Sequence, residues 1–195
     1  MWKRLGDLAH VTTGFPFRGK VLPEEGGDLA VLQIKDLSTQ GELDLATALR
    51  IHSNPTHHKH LLMPGDVLLQ SRGTQNPVAV FDGSTGAIAA LGLHVIRLQP
   101  NVLRPEFLFW YLNHPKTQER LRDVARGSTV AFIAKSDVED FTVPVPPLAL
   151  QAQVITVDRL RRQERLLAAQ ADRLRNEYID TVMWQAASSD RINKA

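Results

Sequence analysis

Three short polar loops in the sequence carry side chains of the types that bind nucleic acid. The loop 70–76 follows an apolar run and holds Arg, Gln and Asn side chains, which can form paired hydrogen bonds with guanine or adenine edges. The loops 13–20 and 126–129 are similarly polar and contain glycine. Each loop alone is more typical of an ordinary surface turn. The three together, with the local basic charge, support nucleic-acid binding and surface turns about equally. The candidate contacts are Arg18, Lys20, Lys35, Gln70, Arg72, Thr74, Gln75, Arg126, Ser128, Thr129 and Lys135.

The distribution of charge supports this interpretation more than the net charge does. The formal net charge is only +2, yet seven basic and three acidic residues lie between Arg97 and Lys135. A polyanion would therefore meet local basic regions instead of a uniformly basic surface. Ordinary solvated faces explain the same charges equally well.

Several kinds of catalysis are excluded by what the 195 residues do not contain. There is no cysteine, so disulfides, thiolate metal sites and cysteine nucleophiles are ruled out. No phosphate-binding glycine loop and no nucleophile elbow is present. Asp66 with Gln70 and Arg72 resembles part of a nuclease site, but the second carboxylate that would hold a metal ion is missing. We therefore predict no metal, no cofactor and no catalysis by this chain.

Four histidines lie close together in a segment that contains proline, namely His52, His57, His58 and His60. Imidazole is a common metal ligand, but no carboxylate or thiolate lies beside them, and tetrahedral sites show clearer pair spacing. A solvated loop is the favoured interpretation. In a basic region these rings can also donate hydrogen bonds to phosphate.

The first 147 residues predict one mixed, β-rich α+β domain. Pro105 suits the start of a helix that runs to Val124 and is broken at His114-Pro115, and the turn residues 82–86 predict a hairpin. Short apolar runs bounded by turn residues predict strands at 29–37, 66–70, 78–81, 88–98 and 140–145.

Residues 148–187 contain neither proline nor glycine and predict a single helix, on the order of 60 Å long. The first domain is too small to cover this helix, so the apolar stripe along it predicts a coiled coil, parallel or antiparallel, with a helix of a second chain. Residues 188–195 form a polar tail. The stripe consists of Val157, Leu160, Leu167, Ala171, Leu174 and Tyr178, interrupted by Glu164.

No apolar run is long enough to span a membrane, and Asp7 interrupts the segment where a signal peptide would be apolar. We expect a cytoplasmic protein without a membrane partner.

Five segments follow one another along the chain: 2–8 with 13–17, 32–37, 64–69 with 71–73, 127–129, and 143–148 followed by Gln151 or Gln153 and Ile155. In content and order they resemble the specificity (S) subunits of type I restriction–modification systems. Two features depart from that family's pattern: a glutamate common after the two prolines is absent, and the chain has one recognition domain and one long helix where a full S subunit has two of each.

The resemblance implies that residues 1–147 are a DNA target-recognition domain and residues 148–187 a spacer helix. It implies that the chain reads one half of a bipartite target in double-stranded DNA and docks a methyltransferase (M) subunit, which uses S-adenosylmethionine. A restriction (R) subunit with ATP and Mg²⁺ would join the complex. A half-subunit would act as a homodimer on a palindromic split target.

Two alternatives stay open at this point. The first alternative to an S subunit is a helical adaptor that binds protein and not DNA. The second is a recognition domain cut from a fused restriction–methyltransferase enzyme.

Overall fold

The computed structural model describes residues 1–73, 75–125 and 131–189. The chain divides into two compact units, Met1–Ala152 and Gln153–Ala195. The first unit is β-rich with short helices, and one long helix follows. This confirms the predicted α+β class. Thr74 and the segments 126–130 and 190–195 lie outside the described residues.

The strands of the described residues form three sheets. A four-stranded antiparallel sheet has the order β2-β8-β5-β6, a three-stranded sheet the order β4-β3-β7, and a two-stranded sheet pairs β1 with β9. The strands are β1 (Trp2–Arg4), β2 (Ala9–Thr13), β3 (Leu29–Leu32), β4 (Leu49–Ile51), β5 (Val67–Gln70), β6 (Val78–Val80), β7 (Ala87–Ala89), β8 (Leu93–Leu98) and β9 (Thr142–Pro144).

The core lies between the two larger sheets. Leu32 of β3 packs in one cluster with Leu68 of β5 and Leu93 of β8. The opposite face of the three-stranded sheet is covered by Phe15 and Phe17. Because both faces of β3 are buried, its four residues are all apolar instead of alternating with polar ones.

Three predicted strands are shorter than the sequence suggested, and of these the run 140–145 is a strand only at Thr142–Pro144. The run 29–37 is a strand only to Leu32 and then turns through a 3-10 helix, Ile34–Asp36. The run 88–98 divides into β7 and β8, which belong to different sheets. Gly92 between them has a φ of +103° and leaves no room for a β-carbon, which would lie 2.6 Å from the Ile34 Cδ1 atom. A glycine is required there because such a backbone disfavours any side chain.

The predicted hairpin at 82–86 is wrong. β6 pairs with β5, whereas β7 leaves that sheet and pairs in parallel with β3, with Ala30 opposite Ala87. The hairpin that does form joins β5 to β6 through the polar residues 71–77. Turn residues mark where the chain bends, but which strand becomes the partner depends on distant burial.

The helices largely follow the predicted pattern. Helix α1 (Pro105–Asn113) and helix α2 (Pro115–Ala125) are separated at His114, whose ψ of 136° is extended, as expected before proline. Helix α3 (Lys135–Asp140) was not predicted. Its Asp137 carboxylate accepts a hydrogen bond from the Ala134 N–H at 2.9 Å and so fixes the first turn.

The long helix α4 runs from Leu148 to Ser189, two residues beyond the predicted end. In the second unit, its apolar side chains are exposed: Leu167 is 65% and Leu174 is 64% exposed. Exposed apolar side chains also lie outside the predicted stripe, namely Leu166, Ile179, Val182, Met183 and Trp184. No helix in the described part of the chain is both long and apolar enough to cross a membrane.

Candidate nucleic-acid interface

Two of the predicted loops leave one end of the four-stranded sheet, where β2 and β5 finish and β8 and β6 begin. This end of the sheet is called the sheet edge below. In the antiparallel order β2-β8-β5-β6, Thr13 ends β2 opposite His94, and Gln70 ends β5 opposite Leu93. Val78 begins β6 beside Leu69. The loops 14–20 and 71–77 therefore leave the sheet from the same edge.

The segment 131–133 pairs with the loop 71–73 at this edge. The Ile133 N–H donates to the Ser71 carbonyl oxygen at 2.9 Å, and the Gly73 N–H donates to the Ala131 carbonyl oxygen at 3.3 Å. Arg72 and Phe132 lie opposite each other in this bridge. The Arg72 guanidinium carbon is 5.6 Å from the centre of the Phe132 ring, a cation–π distance.

The polar side chains around this bridge hold the loop in shape. The Gln70 side-chain amide donates to the Arg72 carbonyl oxygen, and the Asn76 amide donates to the Gln70 carbonyl oxygen at 2.9 Å. The Ser71 N–H and hydroxyl both donate to the Gly92 carbonyl oxygen, at 2.8 and 3.0 Å. Gln70 thus orders the loop through its amide group, while Arg72 and Gln75 are exposed.

A buried histidine lies beneath Phe132. His94 is 1% exposed, and its Nε2 atom is 2.8 Å from the Ile133 carbonyl oxygen. Burial lowers the pKa of this imidazole, although the Ile133 carbonyl and the Asp137 carboxylate act to raise it. A neutral ring that donates from Nε2 fits this site. Its Nδ1 atom has no hydrogen-bond partner among the described residues.

The loop 13–20 is tied to the same edge through the turn that precedes β8. The Gly14 N–H donates to the Leu93 carbonyl oxygen at 2.8 Å, and the Leu91 N–H donates to the Phe15 carbonyl oxygen at 3.2 Å. A β-carbon at Gly14 would lie 2.0 Å from the Ala90 carbonyl oxygen, so only glycine fits. Arg18 and Lys20 are exposed farther along this loop.

Two further predicted contacts, Lys35 and Lys135, each lie beside a carboxylate of the fold. Lys35 is exposed on the 3-10 turn whose Ile34 lies against Gly92, and its ammonium nitrogen is 3.5 Å from the Asp36 carboxylate. Lys135 begins α3 and forms an ion pair with Glu139 at 3.3 Å. The other four predicted contacts lie outside the described residues: Thr74, Arg126, Ser128 and Thr129.

The histidine-rich segment is not simply a solvated loop. His57 is only 4% exposed, and its ring centre is 5.1 Å from that of Phe15. His60 lies at the same distance from Phe15, and burial together with Lys59 and His57 lowers its pKa. No cluster of three or more His, Cys, Asp or Glu side chains suited to a metal ion occurs within residues 1–73, 75–125 and 131–189.

Asp66 has a structural partner. Its carboxylate is 2% exposed and accepts hydrogen bonds from the Arg97 guanidinium at 2.6 and 2.8 Å and from the Met63 N–H at 2.8 Å. All of these groups belong to the fold. Asp66 is therefore a buried ion-pair partner and not a metal ligand.

Phe132 and His94 were missed by the sequence analysis. Neither has a local signal, because their importance depends on the pairing of the segments 71–73 and 131–133, which are far apart in the chain. An aromatic residue between apolar neighbours is typical of a core.

The chain belongs to the family of type I restriction modification DNA specificity domains, whose sequence profile matches residues 1–177. This confirms the resemblance stated above. The family is that of a non-catalytic specificity domain, so the chain has a role in DNA specificity.

Solved structures agree with this membership at the level of the fold. One is a chain from a study of complex assembly and conformational transition in the type I R-M system, with a TM-score of 0.63 and 24% identity over 88% of this chain. The HsdS subunit from Thermoanaerobacter tengcongensis gives 0.58 and 23% over 84%. The S subunit from M. genitalium gives 0.60 and 16% over 86%.

The chain spans about two fifths of those solved chains, covering 41%, 37% and 41% of their lengths. A comparison with curated proteins found no match.

Proposed function

We propose that this chain reads one half of a bipartite target in double-stranded DNA through the sheet edge that carries the loops 13–20 and 71–77. The observation that supports this most is that both loops leave the four-stranded sheet at the same strand ends, where Arg72 lies opposite Phe132. Arg72 is exposed there, and each base pair displays a distinct pattern of donors and acceptors in the major groove.

In this proposal the first unit supplies recognition and α4 supplies spacing. The exposed apolar stripe 157–178 pairs with the stripe of a second copy, so that two recognition units address two half-sites. A two-fold symmetric pair then selects a palindromic split target. S-adenosylmethionine, ATP and Mg²⁺ are bound by the M and R subunits, which dock on this assembly in the cytoplasm.

Sequencing of modified bases tests this function. The chain is co-expressed with the methyltransferase subunit of its own system in a host that lacks DNA methylation. A split palindromic methylated motif is expected. A stable complex of the two proteins without methylation would show that this chain needs a second recognition domain and would contradict the homodimer.

A binding experiment separates DNA recognition from an adaptor role. Retention of the purified chain on immobilised duplex DNA should fall steeply as salt rises, because phosphate contacts release bound counterions. Absence of retention even at low salt would favour the protein-binding adaptor.

A further inference from the structure

We propose that Phe132 is a specificity-determining positioning residue: its ring holds the Arg72 guanidinium in the orientation that reads a guanine. This inference rests on the proposed function and adds to it a residue that no sequence pattern marks. The ligand class is a duplex DNA half-site that contains a G·C pair, because guanine is the base that arginine reads with two hydrogen bonds.

The backbone fixes the two side chains on one side of the bridge. In a β-bridge, successive side chains point to opposite sides. Ser71 and Ile133 are 2% and 0% exposed, whereas Arg72 is exposed and Phe132 is 38% exposed. Their neighbours are therefore anchored in the core, and the Arg72–Phe132 pair faces solvent.

The anchors make this pair a rigid platform. Ser71 is bonded twice to the Gly92 carbonyl, and the Ile133 carbonyl is bonded to the buried His94 ring at 2.8 Å. The Gln70 side-chain amide also donates a hydrogen bond to the Arg72 carbonyl oxygen. An arginine that stacks on an aromatic ring loses less conformational entropy when it binds, because the ring has already limited its rotamers.

The guanidinium of Arg72 keeps its donors for a ligand. No carboxylate in the described part of the chain pairs with Arg72. Arg120 provides the contrast: it also lies over an aromatic ring, that of Phe141 at 4.5 Å, but donates to the Tyr111 hydroxyl at 2.6 Å and to Thr142 at 3.2 Å. Arg120 is a structural stacked arginine, whereas Arg72 is stacked and available.

The test compares base discrimination among four proteins: wild type, Phe132→Leu, Phe132→Tyr and Arg72→Ala. The probes are duplexes that carry the methylated motif found for the wild type and its single-base-pair substitutions. We expect Arg72→Ala to lose the preference for one G·C pair. Phe132→Leu should lower the preference at that same pair by about fivefold, the low end of the roughly 5- to 150-fold discrimination that a good bidentate contact provides. Phe132→Tyr should retain it because the aromatic face remains.

The double variant shows whether Phe132 acts through Arg72. Adding Phe132→Leu to Arg72→Ala should cause no further loss at that base pair, because the contact that Phe132 supports has already been removed. Independent losses that multiply would overturn the inference. A purely structural role of Phe132 would weaken binding to all duplexes equally and would also overturn it.

The outcomes distinguish this inference from the function on which it rests. If the wild type yields no motif and retains no DNA, the proposed function fails and the inference falls with it. If the wild type yields a motif and Phe132→Leu discriminates like wild type at every position, only the inference is wrong. Should Phe132→Leu fail to fold, Phe132→Met replaces it: a methionine fills a similar volume but has no aromatic face for the guanidinium, so an unchanged guanine preference would contradict the platform.

Discussion

At the scale of single residues, Asp66 shows how a motif that suggests chemistry can be structural. Residues 64–66 belong to one of the five segments that carry the family resemblance. The Asp66 carboxylate accepts hydrogen bonds from the Arg97 guanidinium and from the Met63 N–H. The pair links the start of β5 to β8, the strand beside it. The ion pair therefore stabilises the four-stranded sheet at the end opposite to the one that carries the loops.

Replacing this carboxylate should destabilise the fold. Asp66→Asn leaves Arg97 without its charge partner, and we expect the free energy of unfolding to fall by about 2 kcal/mol. That is below the roughly 3–5 kcal/mol for breaking a fully buried pair, because the Arg97 side chain is 40% exposed. Urea unfolding measures the change. Glu25→Gln, at an exposed carboxylate, is the control, and an equal effect in both variants would contradict the assignment.

His94 should make the stability of the molecule depend on pH. Burial lowers its pKa in the folded state, whereas the unfolded ring titrates near about pH 6.5. The folded state therefore binds fewer protons, so stability is present above pH 6.5 and is lost as the pH falls below it. His94→Gln, whose amide can still donate to Ile133, should flatten this decline between about pH 7.5 and about pH 5.5.

Thermal unfolding across that pH range provides the measurement for His94. His60 shifts in the same direction but is present in both proteins, so it cancels in the comparison. His10→Gln, at an exposed position, should leave the decline unchanged. A decline as steep in His94→Gln as in wild type would show that this ring is not responsible.

The role of a residue could be predicted where it follows from local sequence rules, and could not where it depends on contacts with distant segments. Arg72 stands in a polar loop after an apolar strand, so its exposure could be inferred from the sequence, and the structure places it at the sheet edge. Phe132 lies next to it only because two distant segments pair. No pattern near residue 132 carries that information.

At the scale of elements, the same distinction separates the strands that were predicted from those that were not. β5 and β6 were found because apolar runs and turn residues bound them. β1, β2 and β4 were missed because each contains polar residues and none forms an apolar run bounded by turn residues. Helix α3 has six residues, too few to show a helical period.

The start of α4 depends on one buried amide. Gln151 is 0% exposed; its Oε1 atom accepts from the Arg104 N–H at 2.9 Å, and its amide donates to the Val102 and Pro146 carbonyls at 3.0 and 2.8 Å. This explains why a glutamine follows the two prolines. The sequence offered Gln151 and Gln153 equally, and the structure distinguishes them, since Gln153 is exposed.

We expect Gln151→Met to lower the free energy of unfolding by at least about 3 kcal/mol. A methionine fills a similar volume but leaves three backbone groups unpaired, and each buried unpaired group costs about 1–3 kcal/mol. Gln153→Met is the matched control and should change stability by less than about 0.5 kcal/mol. Urea unfolding of both variants decides the point: similar curves would mean that Gln151 does not anchor the helix.

At the scale of the whole molecule, the central question is what covers the second unit. Its apolar side chains are exposed along the predicted stripe, with Val157 at 57%, Leu160 at 55% and Tyr178 at 70%. Charged residues off the stripe pair along the helix instead, as Asp158 does with Arg162 at 3.0 Å. Water disfavours a helix that leaves such a stripe exposed, and burial against a second stripe removes that cost.

Leu167→Asp tests the pairing of two copies directly. Leu167 lies in the middle of the stripe, so a carboxylate there would be buried without a partner in the dimer but stays solvated in the monomer. Light scattering should therefore give twice the mass of the chain for wild type and the mass of one chain for Leu167→Asp. DNA carrying a single half-site should still bind weakly, because the recognition unit is unchanged, whereas methylation of the split target should be lost.

The neighbouring leucine supplies the control for that experiment. Leu166 is exposed to a similar degree, 54%, but lies about 100° away around the helix, outside a seam with a spacing of 3.5 residues. Leu166→Asp should keep the mass of two chains and the methylated motif. Dissociation by Leu166→Asp alone would move the seam to the helix face that Leu166 shares with Trp184, about five turns farther along the helix. A wild-type mass of one chain would remove the homodimer from the proposed function.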